Sequence, residues 1–213
     1  MLILNNVFPA GSALPAERVL AKQIGVTRQT LREVLQRLDS EGWITIQHGK
    51  STVVNDYWQE GGHGILSSIA EYAEVLPKNV IRDLIEFRIF TTPAMTEKTA
   101  ARHPEILLEH LLTAENLENT PDAFVEFDWH LQWLAARHSG NRIFSLMLND
   151  YTDMFHRLGQ RYFSSEHARA SSLAYYRKLT TAIRSNSRKI KEIVEEMMHK
   201  ALDIWSDIQV KGN

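Results

Sequence analysis

The 213-residue chain has no cysteine, which excludes disulfides and thiolate metal sites and fits a reducing compartment. No run of about 18 apolar residues occurs, so no membrane-spanning helix is expected. The opening Met1-Leu2-Ile3-Leu4-Asn5-Asn6 is too short and lacks the basic residues of a signal peptide, so a cytoplasmic location is expected. There is no internal repeat and no low-complexity segment. Catalytic signatures are missing as well: Gly-x-Ser-x-Gly, a P-loop and His-Glu-x-x-His do not occur, and the nine histidines are scattered. His103 and His138 lie beside helix ends, where surface capping is the plain reading. No enzyme is predicted. A net charge of −2 argues against a protein that adheres to nucleic acid by bulk charge.

What charge there is has a pattern. Residues 1–58 hold six basic residues (Arg18, Lys22, Arg28, Arg32, Arg37, Lys50) against five acids, whereas the remaining 155 residues hold 18 against 21. The positive excess falls on a motif at residues 14–38. Pro15 opens a short helix in which Glu17 sits in the favoured first turn and Leu20, Ala21 and Ile24 face inward. Gly25 makes the joint. A second helix is capped by Thr27 and carries an apolar stripe of Leu31, Val34, Leu35 and Leu38, ended by Gly42. This is a helix-turn-helix. Its outer face presents Arg28, Gln29, Thr30 and Arg32, and the two arginines, four residues apart, share one side. Arginines near the N-terminus of such a helix suit guanine edges in a major groove.

Trp43-Ile44-Thr45-Ile46-Gln47 and Thr52-Val53-Val54 read as two strands around His48-Gly49-Lys50-Ser51, a hairpin placed as a wing. Its tip donors, His48 and Lys50, suit phosphates or minor-groove edges. Each basic residue alone reads as a solvated surface charge; their convergence on one motif favours DNA. Residues 57–64, rich in glycine with Tyr57 and Trp58, read as a linker. Helices are predicted near 64–75, 78–101, 104–117, 121–138, 141–163, 168–185 and 188–209. The fold class is therefore mainly α. A winged helix-turn-helix spans residues 1–56, a linker 57–64, and an all-α bundle 65–213.

Pro15-Ala16-Glu17-Arg18-x-Leu20-Ala21 followed by Gly25-Val26-Thr27-Arg28-x-Thr30-Leu31-Arg32-Glu33-Val34-Leu35 resembles the winged-helix domain of the GntR family of bacterial transcription regulators. The wing from Gly42 to Lys50 is similar to the fatty acid metabolism regulator (FadR) branch. The bundle is similar more weakly, through Phe127-Asp128, Ser139-Gly140-Asn141, Tyr162-Phe163 and Trp205. In the family a full helix precedes the turn at Phe8-Pro9; here only Leu2-Ile3-Leu4, like the tail of an amphipathic helix, stands there, and the chain is expected to start part-way through an element.

The resemblance implies a homodimer that binds double-stranded palindromic operator DNA, as repressor or activator, and is released by a long-chain fatty acyl-CoA effector, with no other cofactor and no membrane partner. Arg28 and Arg32 are then expected to read bases, Arg18 and Thr30 to position the backbone beside Gln29, and His48, Gly49 and Lys50 to enter the minor groove. The ligand positions implied are Arg88, Asp128, Tyr162, Met198, Ala201 and Trp205. Arg88 lies mid-helix among Leu84, Ile85, Phe87 and Ile89, where a charge needs a partner, and Asp128 is the natural one. A purely structural ion pair, and core packing of Tyr162 and Trp205, stay open. Met198 and Ala201 stand where acyl-CoA binders of the family carry small residues; Met198 either narrows the tunnel or lines it. Other GntR regulators hold a metal with one aspartate and three histidines. Asp128 matches the aspartate, but Gln132 and Tyr176 replace two histidines, leaving only the region of His199, so no metal is predicted. The alternatives are a regulator sensing a metal-bound small carboxylate and an acyl-CoA-handling enzyme.

Overall fold

The computed structural model describes residues 2–47, 49–71 and 78–211. The architecture is mainly α with one small sheet, and the chain divides into two compact units, residues 1–76 and 77–213.

In the first unit α1 (Glu17–Ile24) and α2 (Arg28–Ser40) form the helix-turn-helix. Pro15 lies outside α1, because Ala16 occupies the N-cap. Gly25 takes φ +74° and its N–H closes α1 on Ala21, a left-handed geometry that a side chain would strain. The Thr27 hydroxyl then accepts from the Thr30 N–H at 3.1 Å and opens α2. Leu20, Ala21, Leu31 and Leu35 are buried. Ile24 and Val34, expected inside, are 44% and 48% exposed, since both border an open apolar groove of about 420 Å³ shared with Ile3, Leu4 and Phe8. Residues 2–7 are turns and a bend, with Asn6 N–H bonded to Ile3 O at 2.9 Å, and the expected helical tail at Leu2-Ile3-Leu4 is not formed among these described residues.

The wing strands are short: β1 (Ile44–Thr45) pairs antiparallel with β2 (Val53–Val54), Ile44 facing Val54. Residues 11–14 run along β2 on its other side, Leu14 N–H donating to Thr52 O at 2.8 Å and Val54 N–H to Ser12 O at 2.9 Å. The stretch 57–64, read above as a linker, is structured. Asp56 caps the single turn α3 (Tyr57–Glu60), and α4 (His63–Glu71) follows within the same compact unit. The aromatics decide this: Tyr57 packs on buried Trp43 with ring centroids 4.7 Å apart, and Trp58 on Tyr57 at 5.2 Å. Glu41 fastens the pieces together by accepting from Trp43 Nε1 at 3.1 Å and Ser68 Oγ at 3.1 Å while pairing with Arg37 at 2.8 Å.

The second unit contains α5 (Lys78–Arg102), α6 (Pro104–Leu112), a 3₁₀ turn at Thr113–Asn116, α7 (Pro121–His138), α8 (Arg142–Asp150), α9 (Thr152–Phe163), α10 (Glu166–Arg184) and α11 (Ile190–Lys211). α5 packs along α11 on one side and α7 on another, with Leu107, Leu131, Tyr176, Leu179 and Val194 at the centre of the core. Pro93 lies inside α5, and beyond it Thr99 Oγ1 donates to Ala135 O at 2.7 Å, while the Arg102 guanidinium donates to Ser139 O. The stretch expected as one helix over 141–163 is two. Tyr151 (φ −95°, ψ 0°) ends α8 and Thr152 turns its hydroxyl back to Asn149 O at 2.8 Å. Asn149, Asp150 and Thr152 are residues whose side chains compete for backbone groups, and the break seats the Tyr151 ring 6.0 Å from Phe87.

Gly140 (φ +78°) turns α7 into α8, and a Cβ there would lie 1.5 Å from Arg102 Nη1. Gly140→Ala must adopt a strained φ and push Arg102 off Ser139 O, so chemical denaturation should show a loss of about 1–2 kcal/mol.

Candidate functional site

The residues expected to hold a ligand (Arg88, Asp128, Tyr162, Met198, Ala201 and Trp205) all line one cavity of about 110 Å³ in the helical unit. α5 contributes Arg88 with Phe87, Thr92 and Met95; α7 contributes Asp128 and Gln132; α9 contributes Phe155 and Tyr162; α11 contributes Met198, Ala201 and Trp205. α8 closes a side with Phe144, Met147 and Leu148, yet none of its side chains is fully buried. The lining is apolar apart from a few polar groups, chiefly on α5 and α7, the general make-up of a small-molecule site.

Asp128 is the electrostatic centre. Its Oδ1 accepts from the Tyr176 hydroxyl at 3.0 Å, and Gln132, one turn on, also hydrogen-bonds to the carboxylate. Arg88 stands off: its Nη2 is 3.9 Å from Asp128 Oδ2, while its guanidinium lies over the Phe155 ring, 5.2 Å from the centroid. Burial pushes the Asp128 pKa above its ordinary value, and the Arg88 charge and the two hydrogen bonds offset only part of that. The expected Arg88–Asp128 partnership therefore exists as a loose ion pair in which Tyr176 and Gln132 satisfy the carboxylate. Sequence reasoning considered those two positions only as lost metal ligands; the one-turn spacing of Asp128 and Gln132 was the available signal. Among the described residues no group of three or more His, Cys, Asp or Glu is placed to hold a metal, and His199 is exposed.

Farther along the cavity Tyr162 and Trp205 stack with centroids 6.5 Å apart and planes within 20°, and Arg161 lies 5.8 Å from the Trp205 ring. Phe155, Phe144 and the methionines Met95, Met147 and Met197 were not foreseen as lining residues, because apolar residues at helical spacing look alike whether they border a core or a cavity.

In the first unit Arg18, Arg28, Gln29, Thr30 and Arg32 are all exposed, the last four on the first two turns of α2. They are not equally free. Arg32 Nε bonds Glu17 Oε2 at 2.7 Å, and the Thr30 hydroxyl lies 2.9 Å from that of Thr27. Arg28, at the first position of α2, has no ion-pair partner among the described residues. In the wing turn Gly49 has φ +73° and Lys50 is exposed, its N–H bonded to Gln47 O at 3.2 Å; His48 lies outside the described residues.

Comparison with known proteins divides the chain earlier than the two compact units do, at residue 54 instead of 76. Residues 1–54 match bacterial regulatory proteins of the gntR family, and residues 55–211 match the FadR C-terminal domain. The chain is 40% identical over 208 residues to a fatty acid metabolism regulator protein of Cronobacter sakazakii, covering 97% of this chain and 87% of that one. A protein of the same description from Escherichia coli is 38% identical over the same shares. Among solved structures, a regulator described as controlling the Listeria monocytogenes agr system superposes with a TM-score of 0.62 at 14% identity, covering 95% of this chain and 92% of that one, a likeness of fold.

The raised Asp128 pKa has a stability consequence of definite sign. The native state holds the Asp128 proton more tightly than the unfolded chain, so this group's contribution is fully present below 3.8 and falls as pH rises through the native value. Asp128→Asn removes the titration. The unfolding free energy of Asp128→Asn minus that of the wild type, measured by urea denaturation, should rise with pH above 3.8 and then level off.

Proposed function

Because the chain belongs to the GntR family of bacterial regulatory proteins and carries a FadR C-terminal domain, we propose that this DNA-binding transcription regulator of fatty acid metabolism binds a palindromic operator as a homodimer and is released by long-chain acyl-CoA. The observation that carries the reading is the gathering of Arg88, Asp128, Tyr162, Met198, Ala201 and Trp205 around one apolar cavity. One helix-turn-helix spans only a few base pairs, so two related by a dyad supply the specificity. Arg28 reads a base edge, with Gln29 and Thr30 beside it. Arg32 exchanges Glu17 for DNA. Arg18 and the wing at Gly49 and Lys50 meet the backbone and minor groove.

In its present form the cavity holds about 110 Å³, whereas drug-sized ligands occupy roughly 300–1,000 Å³. A long acyl chain enters by expanding it. The compliant parts are Met95, Met147, Met197 and Met198, whose side chains re-pack readily, and α8, which has no buried anchor. Expansion displaces α5, and the ligand-bound form has lower operator affinity.

Fluorescence anisotropy with an operator selected from a random duplex pool tests the reading. Oleoyl-CoA should weaken operator binding. Arg28→Ala should cost about 1–3 kcal/mol on the selected operator and less on random duplex. Equal losses on both would assign Arg28 to phosphate contact alone, and acyl-CoA binding without a change in operator affinity would remove the proposed switch.

A further inference from the structure

Between Glu166 and Glu192 the chain has no acidic residue and seven arginines and lysines, in a protein of net charge −2. Three of the seven are engaged along α10: Arg169 with Asn119, Arg177 with Glu115 and Lys178 with Glu196. The other four gather at the turn from α10 to α11. Arg184, Arg188 and Lys189 are exposed and have no carboxylate partner among the described residues, and Lys191 reaches Glu195 only at 3.8 Å. The turn that carries them is well fixed. Asn186 takes φ +49°, its N–H donates to Ile183 O at 3.0 Å, and Ser187 N–H donates to Ala182 O at 2.9 Å, closing α10. Ser187 Oγ accepts from Lys189 N–H at 3.1 Å, and Ile183 and Ile190 are buried on either side, which tethers the turn to the core.

Like charges held together without acids repel one another, and an anion laid across them removes that repulsion. The chemistry of the turn says which anion. Among the described residues no large apolar side chain is exposed there, so it lacks the anchor that a lipid surface or a protein hot spot uses. Guanidinium, ammonium, amide and hydroxyl donors are the groups that contact nucleic-acid phosphates without reading sequence. The turn is also apart from the cavity, since about 22 Å of α11 separates Ile190 from Trp205. We propose that the α10–α11 turn is a second, sequence-independent contact for duplex DNA, in which Arg184, Arg188 and Lys189 pair with backbone phosphates and the Asn186 amide donates beside them. The duplex segment bound here is not the one that α2 reads, so the protein holds two segments at once. This goes beyond the operator reading above, because it puts a nucleic-acid contact on the helical unit.

The test is fluorescence anisotropy of a short labelled random duplex added to the full chain already saturated with unlabelled, selected operator. Wild type should take up the second duplex, about fortyfold more weakly at 200 mM than at 50 mM salt, the slope expected for three phosphate contacts. The triple variant Arg184→Gln, Arg188→Gln, Lys189→Gln should bind that duplex about tenfold or more weakly at 50 mM salt and flatten its salt dependence. Its operator affinity and unfolding temperature should match those of wild type, because the three side chains are exposed and lie outside the reading helix. Arg184→Lys with Arg188→Lys should retain the second duplex, since the charge is kept. Wild type that binds operator yet takes up no second duplex, or a triple variant that takes it up equally well, would overturn the proposal. So would a triple variant that loses binding to phosphatidylglycerol vesicles or to palmitoyl-CoA while keeping the duplex; the cations would then serve a lipid surface or the phosphates of the effector. If no operator can be selected, the operator reading fails by itself, and direct titration of wild type and triple variant with the random duplex still decides this inference.

Discussion

The helical unit is built around one buried carboxylate. Placing Asp128 in an apolar interior is unfavourable for its charged form, and the surrounding residues are chosen to limit that cost. Tyr176 from α10 and Gln132 from α7 supply hydrogen bonds, and Arg88 from α5 supplies charge at 3.9 Å. Three helices are thereby registered against one another by a polar centre within walls that otherwise lack direction. Hydrophobic packing alone tolerates sliding between helices; a carboxylate that must find particular donors does not. The same centre leaves Arg88 only loosely committed, over the Phe155 ring, so the cavity retains an adjustable cation.

The DNA-binding unit solves a different problem with similar means. Two short helices and a hairpin of two-residue strands bury little apolar surface. Glu41 compensates by holding the end of α2, Trp43 and α4 at once, and Tyr57 covers Trp43. The exposed first turns of α2 are thus presented by a frame fastened from behind. Arg32 is restrained by Glu17, while Arg28 has no ion-pair partner among the described residues, so the two arginines of this face are held differently.

Much of this was legible beforehand, for physical reasons. Thr27, Gly25 and the Leu31–Leu35 stripe act locally, and local capping and periodicity are what a sequence displays directly. The positions expected to hold a ligand came through resemblance, and all of them line one cavity. What sequence did not show depends on long-range contacts. Glycines at 61, 62 and 64 made residues 57–64 look like a linker, but the packing of Tyr57 on Trp43, fourteen positions earlier, outweighs that local signal. Ile24 and Val34 fit an inward stripe yet border a groove. The break at Tyr151 escaped notice because no glycine or proline marks it.

Pro93 gives α5 unequal halves. A proline within a helix supplies no N–H to the carbonyl four residues back, here that of Ile89, and so weakens the ladder at that level. Beyond it the helix is bolted to α7 through Thr99 and to the α7–α8 turn through Arg102. Before it lie Ile81, Ile85 and Arg88, which face the cavity. The helix therefore has a longer cavity-facing arm and a shorter anchored one, and the level of Pro93, two thirds of the way along, is where its backbone hydrogen bonding is weakest.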